Sequence, residues 1–199
     1  MKILVVGATG TIGSAVVNEL GSRHDIIKAG RKSGDVTVDI NSADSIKSMF
    51  QKTGNIDAVV CTAGGAHFGP LETLTEKEFE VGIRSKLMGQ INLVLLGTEL
   101  VNDRGSFTVT TGVLSHDPIY CGAAVTTVNC GLEGFVLGAS IEMPRGIRIN
   151  AVSPEVLEES IPRIGHFFRG HVPVPATRVA LAYSKSVEGR LTGQVFPAM

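Results

Sequence analysis

The chain has 199 residues, with 18 lysines plus arginines against 19 aspartates plus glutamates and a net charge of -1. That length suits one compact core over residues 1–199, and the balanced charge offers no electrostatic footprint for nucleic acid or for an acidic membrane surface. Three cysteines, Cys61, Cys121 and Cys130, are an odd number without C-x-x-C or metal-ligand spacing, so we expect no disulfide framework and no metal site, only small core residues in a reducing cytoplasm. Met1-Lys2 is followed by only four apolar residues before Gly7, which does not read as a leader, and no apolar run approaches the roughly 20 residues of a spanning helix.

In chain order, Ile3 to Val6 read as a short buried strand that runs into Gly7-Ala-Thr-Gly10-Thr-Ile-Gly13. The G-x-x-G-x-x-G spacing lets the backbone turn sharply and approach a bulky anion, with a helix from Thr11 to about Gly21 carrying Ile12, Ala15, Val16 and Leu20 inward. A diphosphate then lies over the helix N-terminus, bound by Gly7, Thr9, Gly10, Ile12 and Gly13, where free N–H groups favour negative charge. Asp25 to Ala29 is a second strand ending in Gly30-Arg31-Lys32-Ser33. An acidic residue there would bind both ribose hydroxyls, whereas Arg31 pairs with a 2′-phosphate, so the ligand expected is NADP(H) rather than NAD(H).

Val36 to Ile40 is a third strand, and Asp39 is placed to contact the adenine or orient the loop. Asn41 or Ser42 caps a helix through about Lys52. Ile56 to Cys61 is a fourth strand, followed by Thr62-Ala63-Gly64-Gly65, whose Ala63 and Gly64 flank the adenosine at the carboxyl edge of the sheet. Thr75-Glu76-Lys77-Glu78 is a capping box opening a long helix toward Val101. Further strands are expected at Gly105 to Thr110, Gly146 to Val152 and Gly193 to Phe196. Strands alternating with helices imply an α/β fold, a doubly wound (Rossmann) parallel sheet of about seven strands flanked by helices. Gly122 to Met143 carries only Glu133 and Glu142 as charges, so a helix there needs cover on two sides, from the sheet and from a partner subunit. Pro144 stops it.

These pieces together resemble the short-chain dehydrogenase/reductase family over nearly the full length. The resemblance rests on the glycine turn, Thr62-Ala63-Gly64, the strand end Thr110-Thr111-Gly112, Gly146-Ile-Arg-Ile-Asn150-Ala-Val-Ser-Pro154 and Thr192-Gly193-Gln194. It implies NAD(P)(H) binding, hydride transfer to or from a small carbonyl or alcohol, and assembly into a homodimer or homotetramer through the long apolar helices.

The family's catalytic residues do not carry over. Counting from Glu142 puts the family's lysine at Asn129 and its tyrosine at Val125, and no Y-x-x-x-K pair exists, because Tyr120 is followed at the fourth position by Ala124. Valine cannot donate a proton, and losing a positioned acid removes about 10² to 10⁴ in rate. Thr111 keeps a hydroxyl at the serine position. Lys86 stands where the family usually has an asparagine, as though the two residues were transposed across the site, and is expected to restore the cation near the nicotinamide ribose and to hydrogen-bond with Asn129. His116 and Tyr120 are further candidate proton donors. Ser115-His116-Asp117 holds the residue types of a hydrolase triad, but consecutive residues cannot converge on one atom. Glu155 replaces the glycine of the usual Pro-Gly, placing a carboxylate where the family's backbone meets the nicotinamide carboxamide. In the short lid segment Val156 to Pro173, His166, Phe167, Phe168 and His171 could line a pocket but read by default as packing residues. Two function classes stay open on these residues, an NADP(H)-dependent oxidoreductase and a catalytically inactive NADP(H)-binding sensor or structural protein. A methyltransferase on a similar sheet fits the late segments less well.

Overall fold

A computed structural model describes residues 1–199. Seven parallel strands form one sheet in the order β3-β2-β1-β4-β5-β6-β7: β1 (Lys2–Val6), β2 (Asp25–Gly30), β3 (Val36–Thr37), β4 (Ile56–Cys61), β5 (Val101–Thr110), β6 (Arg148–Pro154) and β7 (Val195–Ala198). Strand order reverses at β1, with β2 on one side and β4 on the other, so a crevice opens beyond their carboxyl ends. The helices are α1 (Thr11–Gly21), α2 (Ala43–Thr53), α3 (Glu76–Gly82), α4 (Gly89–Gly97), α5 (Ala123–Ser140), the single turn α6 (Ile161–Ile164) and α7 (Ala176–Glu188).

Two apolar layers sandwich the sheet. One packs α2, α4 and α5 against one face through Met49, Phe50, Leu93, Leu132 and Val136, and the other packs α1 and α7 through Val16, Leu20, Val179 and Tyr183. Helix α1 and strand β4 have the bounds expected from the sequence, and α2 is capped by Ser42, whose side chain accepts from the Ser45 N–H. The Thr75–Glu78 capping box is complete. Met143 is extended before Pro144, as the steric demand of the proline ring requires.

Several boundaries differ from expectation. β3 holds only Val36 and Thr37, because Val38 to Ile40 bend away to form the Asp39–Asn41 turn. The long helix does not run unbroken to Val101. It passes from α3 through a π-helical turn, Ile83–Met88, into α4, and Val101 already belongs to β5, whose pairing with β4 shifts register between Ile56 and Ala58. α7 has no counterpart in the sequence reading, although Val179, Ala180, Tyr183 and Val187 follow Pro175 at helical spacing. Of the cysteines only Cys61 is a core residue, its thiol pushed up to about 12 by burial, whereas Cys130 is exposed.

Buried polar groups fix the end of β5. Gln90 is fully buried, its Oε1 accepting from the Thr110 N–H at 2.8 Å and its Nε2 donating to the Thr110 carbonyl at 2.9 Å. From the other face Tyr183 donates to Thr110 Oγ1 at 2.6 Å, since that hydroxyl gives its own proton to the Cys61 carbonyl. Tyr183→Phe should lower unfolding free energy by about 1 kcal/mol in urea denaturation, the worth of one buried hydrogen bond. No helix is long and apolar enough to cross a membrane.

Candidate active site

The crevice holds two cavities along the carboxyl ends of the strands. The first, about 170 Å³, is lined by Gly7, Arg31, Asp39, Asn41, Ala63 and Gly64 among others. The second, about 220 Å³, is lined by Ile12, Lys86, Thr111, Asn129, Glu155 and Phe168 among others, and Gly64 lines both.

Between them lies the glycine turn. Gly7 adopts φ +86° and its carbonyl accepts from Gly10 N–H at 2.9 Å. A Cβ at Gly13 would overlap that same carbonyl oxygen, so the start of α1 and the turn can meet only with glycine there. The Thr11, Ile12 and Gly13 amides have no backbone acceptor, and no acidic residue occupies the first turn. Free donors, the helix dipole and a backbone without side chains together form a cradle for a diphosphate.

In the first cavity Arg31 is largely exposed and reaches Asp39 Oδ2 at 3.4 Å. The Asn41 backbone N–H holds the Asp39 carboxyl below the usual carboxylate range. Gly30 and Asn41, which the sequence reading did not assign to the site, also line this end. Asn41 was legible as the donor partner of a nearby aspartate in an Asx turn.

At the second cavity, Lys86 sits in the π-helical turn, directly beneath Gly64, where a Cβ would come within 2.8 Å of Lys86 Cα. Gly64 takes φ +121°, which suits glycine alone at so close an approach. Lys86 is half-buried and its ammonium donates to the Thr111 carbonyl at 2.7 Å, while burial pulls its pKa down to about 8. The expected Lys86–Asn129 hydrogen bond is not formed: Asn129 Nδ2 donates to the Gly112 carbonyl at 3.2 Å, and its Oδ1 is buried without a partner. Each polar group has found a backbone carbonyl at the end of β5 instead of the other side chain. Thr111 is buried, and its hydroxyl lies 3.4 Å from the Val152 carbonyl.

Other sequence candidates fall elsewhere. His116 is exposed and pairs with Glu133 at 3.1 Å, outside the residues lining either cavity, because the loop after β5 turns it toward the outer side of α5. Tyr120 is exposed at a separate depression, and Tyr183 is in the core, so neither tyrosine lines the second cavity, whereas Val125 does. Phe168 lines the cavity and His171 binds Glu155, which gives these two lid residues more than a packing role. Phe167 stacks on Phe68 at 5.5 Å, and His166 lies against Phe167. No three His, Cys, Asp or Glu side chains are grouped to hold a metal ion.

Residues 10–167 match a family model described as enoyl-(acyl carrier protein) reductase. The chain belongs to the short-chain dehydrogenase/reductase family. Among solved structures, this short-chain dehydrogenase/reductase is similar to the protein lin1944 from Listeria innocua, 53% identical over 100% of both chains with a TM-score of 0.98. It shares its fold with a small-chain dehydrogenase solved in complex with NADPH, 24% identical over 99% of this chain and 95% of that one, TM-score 0.89. An uncharacterised oxidoreductase, C922.06, of Schizosaccharomyces pombe is 27% identical over 76% of this chain and 65% of the relative, so the match spans just under two thirds of that protein.

Proposed function

We propose that the chain binds NADP(H) and interconverts a small carbonyl compound and its alcohol. The observation that carries this reading is the pair of cavities meeting at Gly64 on either side of the glycine cradle, a continuous polar-lined crevice that can take an extended dinucleotide. Arg31 is free to turn to a 2′-phosphate, Asp39 and Asn41 border the adenosine, and the unpartnered Asn129 Oδ1 can accept from a ribose hydroxyl. Bound NADP(H) supplies or accepts the hydride.

The family's tyrosine and lysine positions fall on Val125 and Asn129 in this reading, so the proton must be handled by other groups. Lys86 holds a proton on Nζ at neutral pH inside the cavity, and burial makes it easier to give up to a nascent alkoxide. Thr111, whose carbonyl holds the Lys86 ammonium, supplies the hydroxyl that orients the substrate carbonyl. His116 has no part in this scheme, given its outward position.

Calorimetry with NADPH and NADH tests the reading first. NADPH should bind at micromolar Kd and more tightly than NADH, and Arg31→Ala should weaken NADPH at least about tenfold with NADH unchanged, the loss of charge-assisted bonds to one phosphate. Absence of binding by either cofactor overturns it. NADPH oxidation with a panel of aldehydes, ketones and quinones then separates the enzyme from a second reading, a binding protein without turnover, which the apolar Val125 in the cavity favours.

The chain is further proposed to form a homodimer or homotetramer. Leu95, Leu137 and Ile141 are exposed along α4 and α5, flanking a groove of about 400 Å³ where Gly134 and Gly138 leave the backbone open. A second copy of this near-uncharged face would cover it. Leu137→Glu should convert the oligomer to monomer in light scattering; an unchanged mass would place the interface elsewhere.

A further inference from the structure

Glu155 is the one acidic side chain lining the second cavity, and its geometry is constrained. Its backbone N–H donates to the Ala198 carbonyl at 3.0 Å, tying the turn after β6 to β7. Its side chain is one-tenth exposed, and Oε1 accepts from the Val156 N–H at 2.8 Å and from His171 Nδ1 at 3.0 Å. His171 is nearly buried, packed edge-on against Phe168 at 5.3 Å, with Asp117 3.8 Å from its Nε2. Glu155 Oε2 makes no hydrogen bond and is not sealed from solvent, which leaves it open to the cavity.

The opposing charge in the cavity is Lys86, whose ammonium donates to the Thr111 carbonyl at 2.7 Å, just past the end of β5. The backbone and stem of Lys86 lie beneath Gly64, the residue common to both cavities. Glu155 follows β6, the next strand beyond β5 and about 5 Å further across the sheet. A dinucleotide laid from Arg31 across the glycine cradle would therefore reach Lys86 before Glu155, with Lys86 toward its second ribose and Glu155 toward the nicotinamide.

Resting on the NADP(H) reading above, we propose that Glu155 makes the site select the oxidised cofactor. The nicotinamide ring is neutral in NADPH and positively charged in NADP⁺, so a fixed carboxylate attracts only the oxidised form. In a partly buried cavity, that attraction is worth at least about tenfold in the ratio of the two affinities. By the thermodynamic cycle, each tenfold preference lowers the potential of the bound couple by about 30 mV. The groups that set this field are Glu155, His171 and Asp117 on one side and Lys86 on the other.

The test is calorimetric titration of NADP⁺ and of NADPH against wild type, Glu155→Gln and Glu155→Asp at pH 7.5. Glutamine keeps an oxygen for the Val156 and His171 donors and removes only the charge. Glu155→Gln should weaken NADP⁺ at least about tenfold relative to NADPH, and Glu155→Asp should keep the wild-type ratio. Should Glu155→Gln fail to fold, Glu155→Gly, the residue the family motif carries, is read on the same ratio. An unchanged ratio, or equal weakening of both forms, overturns the inference and leaves the cofactor reading standing. No binding of either form to wild type overturns both.

Discussion

Gly13→Ala should abolish measurable NADPH binding, with a loss of at least about a hundredfold in affinity, and lower unfolding free energy by about 2 kcal/mol. The methyl group would overlap the Gly7 carbonyl oxygen and come within 2.8 Å of Thr62 Oγ1. Neither neighbour can yield cheaply. The Gly7 carbonyl is fixed by the Gly10 N–H and by Thr62 Oγ1, which itself donates near the junction of β1 and β4. Relief requires α1 to shift away from the sheet, and that shift carries with it the three free amides that would hold the diphosphate. Gly21→Ala, at the far end of the same helix, provides the control. Its Cβ would meet only Ile26 Cγ1 at 3.8 Å, an ordinary contact, and the better helix propensity of alanine should raise stability by up to about 1 kcal/mol without changing affinity. Calorimetry and urea denaturation on the two variants measure both effects. Equal affinity in Gly13→Ala and wild type would show that the turn does not cradle the cofactor.

Lys86→Met should weaken NADPH binding at least about tenfold and reduce turnover about a hundredfold or more, since it removes both the cation at the ribose end and the proton on Nζ. Stability moves the other way with pH. Lys86 titrates near 8 in the folded protein against 10.5 as a free side chain, so between those values the unfolded chain binds more protons than the folded one. Wild-type stability should therefore rise relative to Lys86→Met as pH increases from 8 to 10.5, because the cost of burying the ammonium disappears once it deprotonates. Denaturation midpoints of the two proteins across that range supply the check. Parallel curves would mean that Nζ is solvated, and unchanged NADPH affinity would remove Lys86 from the cofactor site.

Most of the scaffold was legible because local signals agreed with one another. At α1 the glycine triplet and the apolar spacing mark the same boundaries, and at α2 and α3 the caps are chemical, so Ser42 and Thr75 fix the starts. Strand ends were less legible, since β3, β5, β6 and β7 stop where neighbours stop pairing, and that depends on register between distant segments. The same limit governs the site. Gly7, Gly13 and Gly64 announce themselves through backbone demands, whereas the partners of Lys86 and Asn129 are carbonyls at the end of β5 that no side-chain pattern encodes. His116 shows the converse error, a chemically able residue turned outward by its loop.

The π-helical turn Ile83–Met88 fits six residues into a stretch whose carbonyls pair one position further along than α-helical geometry allows. It is the imprint of one residue more than a regular helix needs. Deleting any single residue of this turn would restore α-helical pairing, but it would also rotate everything before it by about 100° relative to α4. Lys86 would swing off Thr111, and Gln90 and Leu93 would keep their seats only if α3 and its loop were repositioned. An extra residue at that point therefore sets the angular phase between two halves of one helix, with Ser85 and Lys86 of the turn facing the cavities and the downstream half facing the sheet. Sequence variation that adds or removes length should avoid this turn and gather in the loop from Ala66 to Leu74, where no helix phase is at stake.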